Sequence, residues 1–328
     1  MRRYPLLLFL LLSLGALLVK IRPVFAEIPT TAKIAFSANR EGNRDIYLMN
    51  PDGSQQVNIT NHRADDVSSV WSPTGEHILF ASDRGHKAWG TWDLYLMEPD
   101  GSNVRKVFDK SALRSSPVWA PDGKRIAYSY GEIGNNLIYI GTIDGKEEER
   151  VAIGGTPAWS PDGTEIAFVV KAGAKRWEIN MLNVQTRKQK VFFPPKAAPS
   201  WVRGPAWSPT GDKLAFAWLH RVPLADFLET ETIYTVNRDG TRLTQIVAEA
   251  KSRATDPIWS PRGDELLYAR WKHETKQIFK IALNEGQSEQ LTHIGFWNHP
   301  ADWFDPAFAL PVSPQPQLLT TTWAEVKK

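Results

Sequence analysis

Trp159-Ser160-Pro161-Asp162-Gly163-Thr164-Glu165-Ile166-Ala167-Phe168 decides how this chain folds. Ser160 to Gly163 fills the slots of a type I turn, which favours Ser or Asp first, Pro second and Gly fourth. The turn joins a strand ending at Trp159 to one holding Ile166-Ala167-Phe168, a hairpin with a bulged Gly. Ile166 and Phe168 share one face of the second strand and Ala167 takes the other, so both faces are apolar. Such a strand belongs to a sheet stacked between two neighbours.

The unit recurs as Trp71-Ser72-Pro73-Thr74-Gly75, Trp119-Ala120-Pro121-Asp122-Gly123, Trp207-Ser208-Pro209-Thr210-Gly211 and Trp259-Ser260-Pro261-Arg262-Gly263. A degenerate sixth copy is Trp303-Phe304-Asp305-Pro306. Successive Trp residues lie 48, 40, 48, 52 and 44 positions apart, the period of a propeller blade. Thr74, Thr210 and Arg262 stand at the permissive third turn position, so these turns are punctuation and carry no chemistry.

Further strands repeat in step. Second strands read Ile34-Ala35-Phe36, Ile78-Leu79-Phe80, Ile126-Ala127-Tyr128, Leu214-Ala215-Phe216 and Leu266-Leu267-Tyr268 beside the copy at Ile166. Third strands read Ile46-Tyr47-Leu48, Leu94-Tyr95-Leu96, Ile138-Tyr139-Ile140, Ile179-Asn180-Met181, Ile233-Tyr234-Thr235 and Ile278-Phe279-Lys280. A second Gly turn follows, as in Asn50-Pro51-Asp52-Gly53, except at Asn183-Val184-Gln185-Thr186. A polar fourth strand then ends near Ile59, Val107, Val151, Val191, Ile246 and Leu291, which suits an outer edge that must not recruit other chains.

Strands two to four occur six times, and so do the Trp-bearing first strands. Ile34 to Thr60 has no Trp strand ahead of it, and Trp303 has no strands behind it. The counts match if Asn298 to Pro306 supplies the innermost strand of the N-terminal unit. The expected fold is all-β: a six-bladed β-propeller of four-stranded antiparallel blades, closed by the C-terminal strand joining the N-terminal blade.

The W-S-P-D-G turn, the I-A-F strand, the segment Ile46-Tyr47-Leu48-Met49-Asn50-Pro51-Asp52-Gly53 and the ending Leu291-Thr292 resemble the TolB-type propeller repeat, WD40-like and of the PD40 kind. The resemblance covers about residues 33–306 and is specific because it recurs. The Gly-His and Trp-Asp dipeptides of the WD40 repeat proper are absent. TolB carries an α/β domain ahead of its propeller, whereas here only Glu27 to Ala32 separate the leader from the first blade. The resemblance implies a protein-interaction platform outside the cytoplasm.

Residues 1–26 read as a secretory signal peptide. Arg2 and Arg3 form its basic start, Leu6 to Val19 its 14-residue apolar stretch, and Val24-Phe25-Ala26 its cleavage site. Fourteen helical residues cover only about 21 Å, short of a ~30 Å hydrocarbon core. Lys20 and Arg22 before the cleavage site leave an uncleaved anchor as the alternative. The expected compartment is periplasmic or secreted, with no stable membrane insertion after cleavage. Domains are thus 1–26 leader, 27–306 propeller and 307–328 tail. The tail holds Pro311, Pro314 and Pro316 and ends in Leu318 to Lys328, which either docks on the propeller or is read by an export system.

Composition narrows the function. The net charge of +3 belongs to the leader, since outside it 35 basic residues face 36 acidic ones. Nucleic acid is therefore not an expected partner. Zero cysteines exclude disulfides, thiolate metal sites and a catalytic thiol. No G-x-S-x-G elbow, H-E-x-x-H, EF-hand loop or P-loop occurs. His62, His77, His86, His220, His273, His293 and His299 include no pair three to five apart and are read as surface or turn residues.

Candidate binding residues sit just before the Trp strands, where first strands line the central channel. The residues three ahead of each Trp are Ser68, Ser116, Thr156, Gly204, Asp256 and Pro300; Arg203 and His299 lie one further out, with Asp65 and Asp66 at the rim. First strands are expected to run outward from the axis into the W-S-P turns. The mouth bearing Asp65, Asp66, Ser116, Thr156, Arg203, Asp256 and His299 is either a polar pocket for a peptide terminus or cation, or a hydrated channel. Loops offer Trp201, Phe227 and Leu228, which either bind a partner or fold onto the fourth blade; Lys87 to Trp92 is a weaker case. The leading expectation is a monomeric, non-catalytic scaffold for a protein or peptide partner in the cell envelope, with no cofactor and no catalytic or metal residue. The alternative is a lactonase-like, metal-assisted hydrolase at the channel mouth. A channel-bound calcium would suit it, but one Asp at the ring and two at the rim are too few ligands.

Overall fold

A computed structural model describes residues 27–85, 91–131, 136–173, 176–193, 201–220, 230–248, 253–272 and 274–311. The leader, Phe227, Leu228, Lys87 to Trp89 and the tail from residue 312 lie outside the described residues.

The chain opens with β1 (Lys33–Asn39), β2 (Arg44–Met49) and β3 (Val57–Asn58). Next come β4 (Asp66–Trp71), β5 (Ile78–Ser82), β6 (Asp93–Met97) and β7 (Arg105–Lys106). The third set is β8 (Arg114–Trp119), β9 (Arg125–Tyr130), β10 (Leu137–Thr142) and β11 (Glu148–Ile153). The fourth is β12 (Gly155–Trp159), β13 (Glu165–Lys171), β14 (Trp177–Asn183) and β15 (Gln189–Val191). The fifth is β16 (Val202–Trp207), β17 (Lys213–His220), β18 (Thr230–Asn237) and β19 (Thr244–Gln245). Then follow β20 (Ala254–Trp259), β21 (Glu265–Lys272), β22 (Thr275–Ala282), β23 (Ser288–Gln290) and the last strand, β24 (Trp297–Phe304).

The sets β4–β7, β8–β11, β12–β15 and β16–β19 are separate four-stranded antiparallel sheets. The remaining strands form one eight-stranded sheet, in which β20–β23 and the set β24-β1-β2-β3 meet through a single parallel bridge from Lys276 to Trp297. The fold is an all-β propeller of four-stranded antiparallel blades. β24 lies antiparallel to β1, from Lys33 opposite Phe304 to Asn39 opposite Trp297. That is the strand exchange between chain ends that the repeat count requires.

Packing runs between sheets, as strands with two apolar faces demand. Ala158, Ile179 and Met181 of one sheet share a buried cluster with Trp207, Leu214 and Phe216 of the next. The β24-β1-β2-β3 set packs on both sides: Ile34, Phe36 and Trp303 meet Leu267 and Ile278, while Ala35, Ile46 and Phe304 meet Trp71, Ile78 and Phe80. The short outer strands are the polar ones, with Gln189 to Val191 exposed throughout.

The turns form as their residues dictate. Gly75, Gly123, Gly163, Gly211 and Gly263 all have positive φ, and each donates its N–H to the carbonyl three residues earlier at 2.8–3.0 Å. The leading Ser adds a bond, since Ser72, Ser160, Ser208 and Ser260 hydroxyls accept the N–H five residues on at 2.9–3.1 Å. Ala120 cannot, and Asp122 takes over by accepting from Lys124 and Arg125. In the second turn of the fourth set, Arg187 adopts the left-handed φ of 60° that Gly holds elsewhere.

Three of the repeat tryptophans do more than mark a turn. The Trp119, Trp207 and Trp259 indole nitrogens donate to the Val70, Ala158 and Ala206 carbonyls at 3.0–3.3 Å. Those carbonyls belong to the first strand of the preceding sheet, so the indole both fills the interface and ties two inner strands together.

Candidate functional site

One cavity of about 430 Å³ is lined by Trp71, Trp119, Trp159, Trp207, Trp259 and Trp303 with the prolines beside them. Six first strands can share one cavity only if they surround a common axis. They therefore run along the channel, with the Trp turns at one end and the residues three before Trp towards the other. The expectation that first strands run outward from the axis is corrected here.

Those preceding residues have an unusual backbone. Ser68, Ser116, Thr156, Gly204 and Asp256 all have φ between 49° and 60°. Each sits in a break of register, for example between Thr255 and Ile258 opposite β21. Two residues are thus looped out of the ladder, and the second is Pro117, Pro157, Pro205 or Pro257 in four of the five strands. A residue with no N–H loses nothing where no ladder bond is made. Pro300 stands at this place in β24 and stays paired with Phe36, because its ring holds φ negative. There the chain loops out Ala301 alone.

The bulge in β20 presents Asp256 to a cavity of about 250 Å³ at the end of the channel away from the Trp ring. Lys276 Nζ lies 2.9 Å and His299 Nε2 3.0 Å from Asp256 Oδ2, and Thr255 Oγ1 donates to the same oxygen. Burial opposes ionisation of Asp256, but His299 and Lys276 outweigh it and hold the carboxyl well below the usual range. Trp297 stacks on the His299 ring at 5.2 Å and lies under Lys276 Nζ at 5.5 Å. Beside this group is Glu231 of β18, whose side chain is fully buried, with Arg203 Nε at 2.8 Å and Arg253 Nη2 at 3.2 Å. Burial pushes Glu231 up in pKa, and the two guanidinium groups pull it back only in part.

Arg203, Asp256 and His299 therefore line one cavity, but Arg203 pairs with Glu231 and not with Asp256. Asp65 and Asp66 lie elsewhere: Asp65 binds Arg44 at 2.6 Å, and buried Asp66 binds Arg84 at 2.6 Å. Asp65 thereby ties β2 of the N-terminal set to the start of the next sheet, and Asp66 closes the open end of the β4–β5 hairpin. Thr156 and Trp201 line a different pocket, shared with Arg203. Glu231, Arg253, Lys276, Trp271 and Trp297 of the mouth were missed in the sequence, since they stand outside the Trp-anchored alignment. Among the described residues no group of three or more His, Cys, Asp or Glu side chains could hold a metal ion.

Residues 19–151, 85–190 and 154–307 match the model of the TolB beta propeller domain. The chain belongs to the TolB β-propeller family. It is 34% identical over 53 residues to the Tol-Pal system protein TolB of Syntrophotalea carbinolica, a match covering 16% of this chain and 12% of that protein. It is 36% identical over 55 residues to the TolB homolog of Chlorobium luteolum, covering 17% of this chain and 13% of that one. The matches thus span about an eighth of these relatives' lengths. The crystal structure of TolB from Acinetobacter baumannii superposes with a TM-score of 0.68 at 16% identity, covering 85% of this chain and 68% of that one, which is a likeness of fold.

In this TolB-family propeller the Trp end of the channel also holds a carboxyl, Asp302. It accepts the backbone N–H of Trp71 across the interface at 2.8 Å and that of Trp303 at 2.8 Å. Burial raises its pKa to about 6, more than these two N–H donors lower it. A raised carboxyl binds its proton more tightly in the folded state, so stability falls as pH rises from ~4 to ~6 and is flat above. The expected result is that the native chain gains about 1 kcal/mol between pH 7.5 and pH 5 relative to Asp302→Asn. Parallel stability profiles for the two proteins in urea unfolding would refute this.

Proposed function

We propose that this chain is an exported, six-bladed TolB-family propeller that binds an acidic protein segment at its charged mouth and catalyses nothing. The blade count rests on the eight-stranded sheet, which divides at one bridge into two four-strand sets. Export rests on the leader at residues 1–26, with 27–306 as the propeller and 307–328 as its tail. Among the described residues no helix is long and apolar enough to cross a membrane. A periplasmic or secreted site of action follows from the leader.

The observation that carries the binding site is the convergence of Arg203, Arg253 and Lys276 on Glu231 and Asp256 around one cavity. Three cations face two carboxylates, one of them fully buried, so the opening favours an anionic group. Trp271 and Trp297 supply apolar walls for the rest of a peptide. Charge-assisted hydrogen bonds there are worth ~1.5–3 kcal/mol each. Arg253 stays on Glu231 when Arg203 is removed, so Arg203→Gln does not orphan that buried charge.

Affinity capture from the native envelope fraction tests the proposal. Arg203→Gln bait is expected to hold its partner about tenfold more weakly, with the melting temperature little changed. Native chain from the same fraction is expected to begin at Glu27 by intact mass. Equal loss from the pair Trp201→Ala, Phe227→Ala with none at Arg203 would move the site to the loops.

A further inference from the structure

Beside the mouth, between the β12–β15 sheet and the start of β16, lies a second pocket of about 420 Å³. Its size falls in the ~300–1,000 Å³ range of small-molecule sites. Val169, Val170 and Val202 line it together with Trp177 and Trp201. At its edge Gly154 and Gly155 let the chain pass close against its neighbours. A Cβ on Gly154 would stand 2.6 Å from the Phe168 ring, and one on Gly155 would stand 3.0 Å from the Asn136 amide nitrogen. Trp201 is held at φ 67°, a backbone setting that bulky residues rarely adopt. An indole placed at that cost shapes the wall.

The charge of the lining is one-sided. Lys171 and Arg203 both reach the pocket, and no Asp or Glu is among its described lining residues. Lys171 lies directly opposite Trp177 in the β13–β14 ladder, so the two are cross-strand neighbours on one face of the sheet. Arg203 reaches Glu231 through Nε while nearly half of its side chain stays exposed. An apolar slot with two indole walls and two cations at its rim matches a flat aromatic body ending in one anionic group.

We propose that this pocket binds small planar aromatic carboxylates. The ring lies between Trp177 and Trp201 against the lining valines, and the carboxylate points to Lys171 and Arg203. Arg203 lines both cavities, but Trp177 and Lys171 line this pocket and not the mouth, so variants at those two residues test it separately from the peptide site.

Titration calorimetry with 2-naphthoate on the mature chain is the test, with 2-naphthalenemethanol as the uncharged counterpart. One saturable site is expected, with the carboxylate bound about tenfold more tightly than the alcohol. Trp177→Ala is expected to weaken both ligands about tenfold, and Lys171→Gln about fivefold for the carboxylate alone. Both side chains are partly or fully exposed, and an unchanged melting curve checks that the fold survives. Ile153→Ser at the pocket rim offers a third variant, since that side chain is 59% exposed, and is expected to weaken both ligands. Absence of saturable binding, equal affinity for the alcohol, or indifference to all three substitutions overturns the proposal.

Discussion

Ending the chain at Gly295 is expected to abolish the single cooperative melting transition, the largest effect of any change considered for this protein. The deletion removes β24, the innermost strand of the N-terminal set, whose whole length pairs with β1. Ile34 and Phe36, both fully buried, then lose Trp303 from their shared cluster. Trp71 loses the Phe304 ring stacked on it at 5.1 Å and the Asp302 acceptor of its N–H. Two apolar faces and a row of ladder groups open at once, and a ring of sheets has no other element to cover them. A single substitution, Trp303→Ala, isolates part of this loss. Trp303 is 9% exposed, and its removal should cost ~3–5 kcal/mol. Calorimetry decides: a truncated chain melting cooperatively at the native temperature would show that closure by β24 is dispensable.

Replacing Arg114 by Met is expected to destabilise the propeller by about 3–5 kcal/mol. Arg114 begins β8 with its side chain only 1% exposed. It binds Asp93 of the preceding sheet at 3.0 Å and both oxygens of Glu148 on β11 at 2.9 Å. Its guanidinium also lies over the Phe108 ring at 4.2 Å. Asp93 is fully buried, and Lys106 would be its remaining cation, at 2.9 Å. The cost is thus mainly that of a buried carboxylate losing a partner. A second change, Asp93→Leu on top of Arg114→Met, should then recover more than half of the loss. Urea unfolding of the two variants checks both parts. A loss under about 1 kcal/mol for Arg114→Met would mean that Lys106 and solvent already neutralise Asp93.

These two sites differ in how far they could be read in the chain. The exchange at β24 followed from counting strands, and the turn at Ser160 to Gly163 formed with the bonds its residues call for. Arg114 carried no such mark, because its partners lie 21 and 34 residues away on strands of different sheets. The mouth shows the same division. Aligning on Trp put Arg203, Asp256 and His299 at one end of the channel, where they share a cavity. The alignment also proposed Asp65 and Asp66, which are committed to Arg44 of the preceding blade and to Arg84 of the same hairpin.

By itself the sequence determined the repeat, the turn chemistry, the two-faced strands and the need for the last strand to join the first. Each of those rests on steric and hydrogen-bonding rules that act within about ten residues, or on a count. Only the tertiary structure decided which charges meet. Glu231, Arg253, Lys276 and Trp297 reach the mouth because neighbouring sheets stack and the Trp-strand bulge turns Asp256 towards them. Pairing of buried charges depends on distance in space and on what water is excluded, and neither is encoded in local pattern.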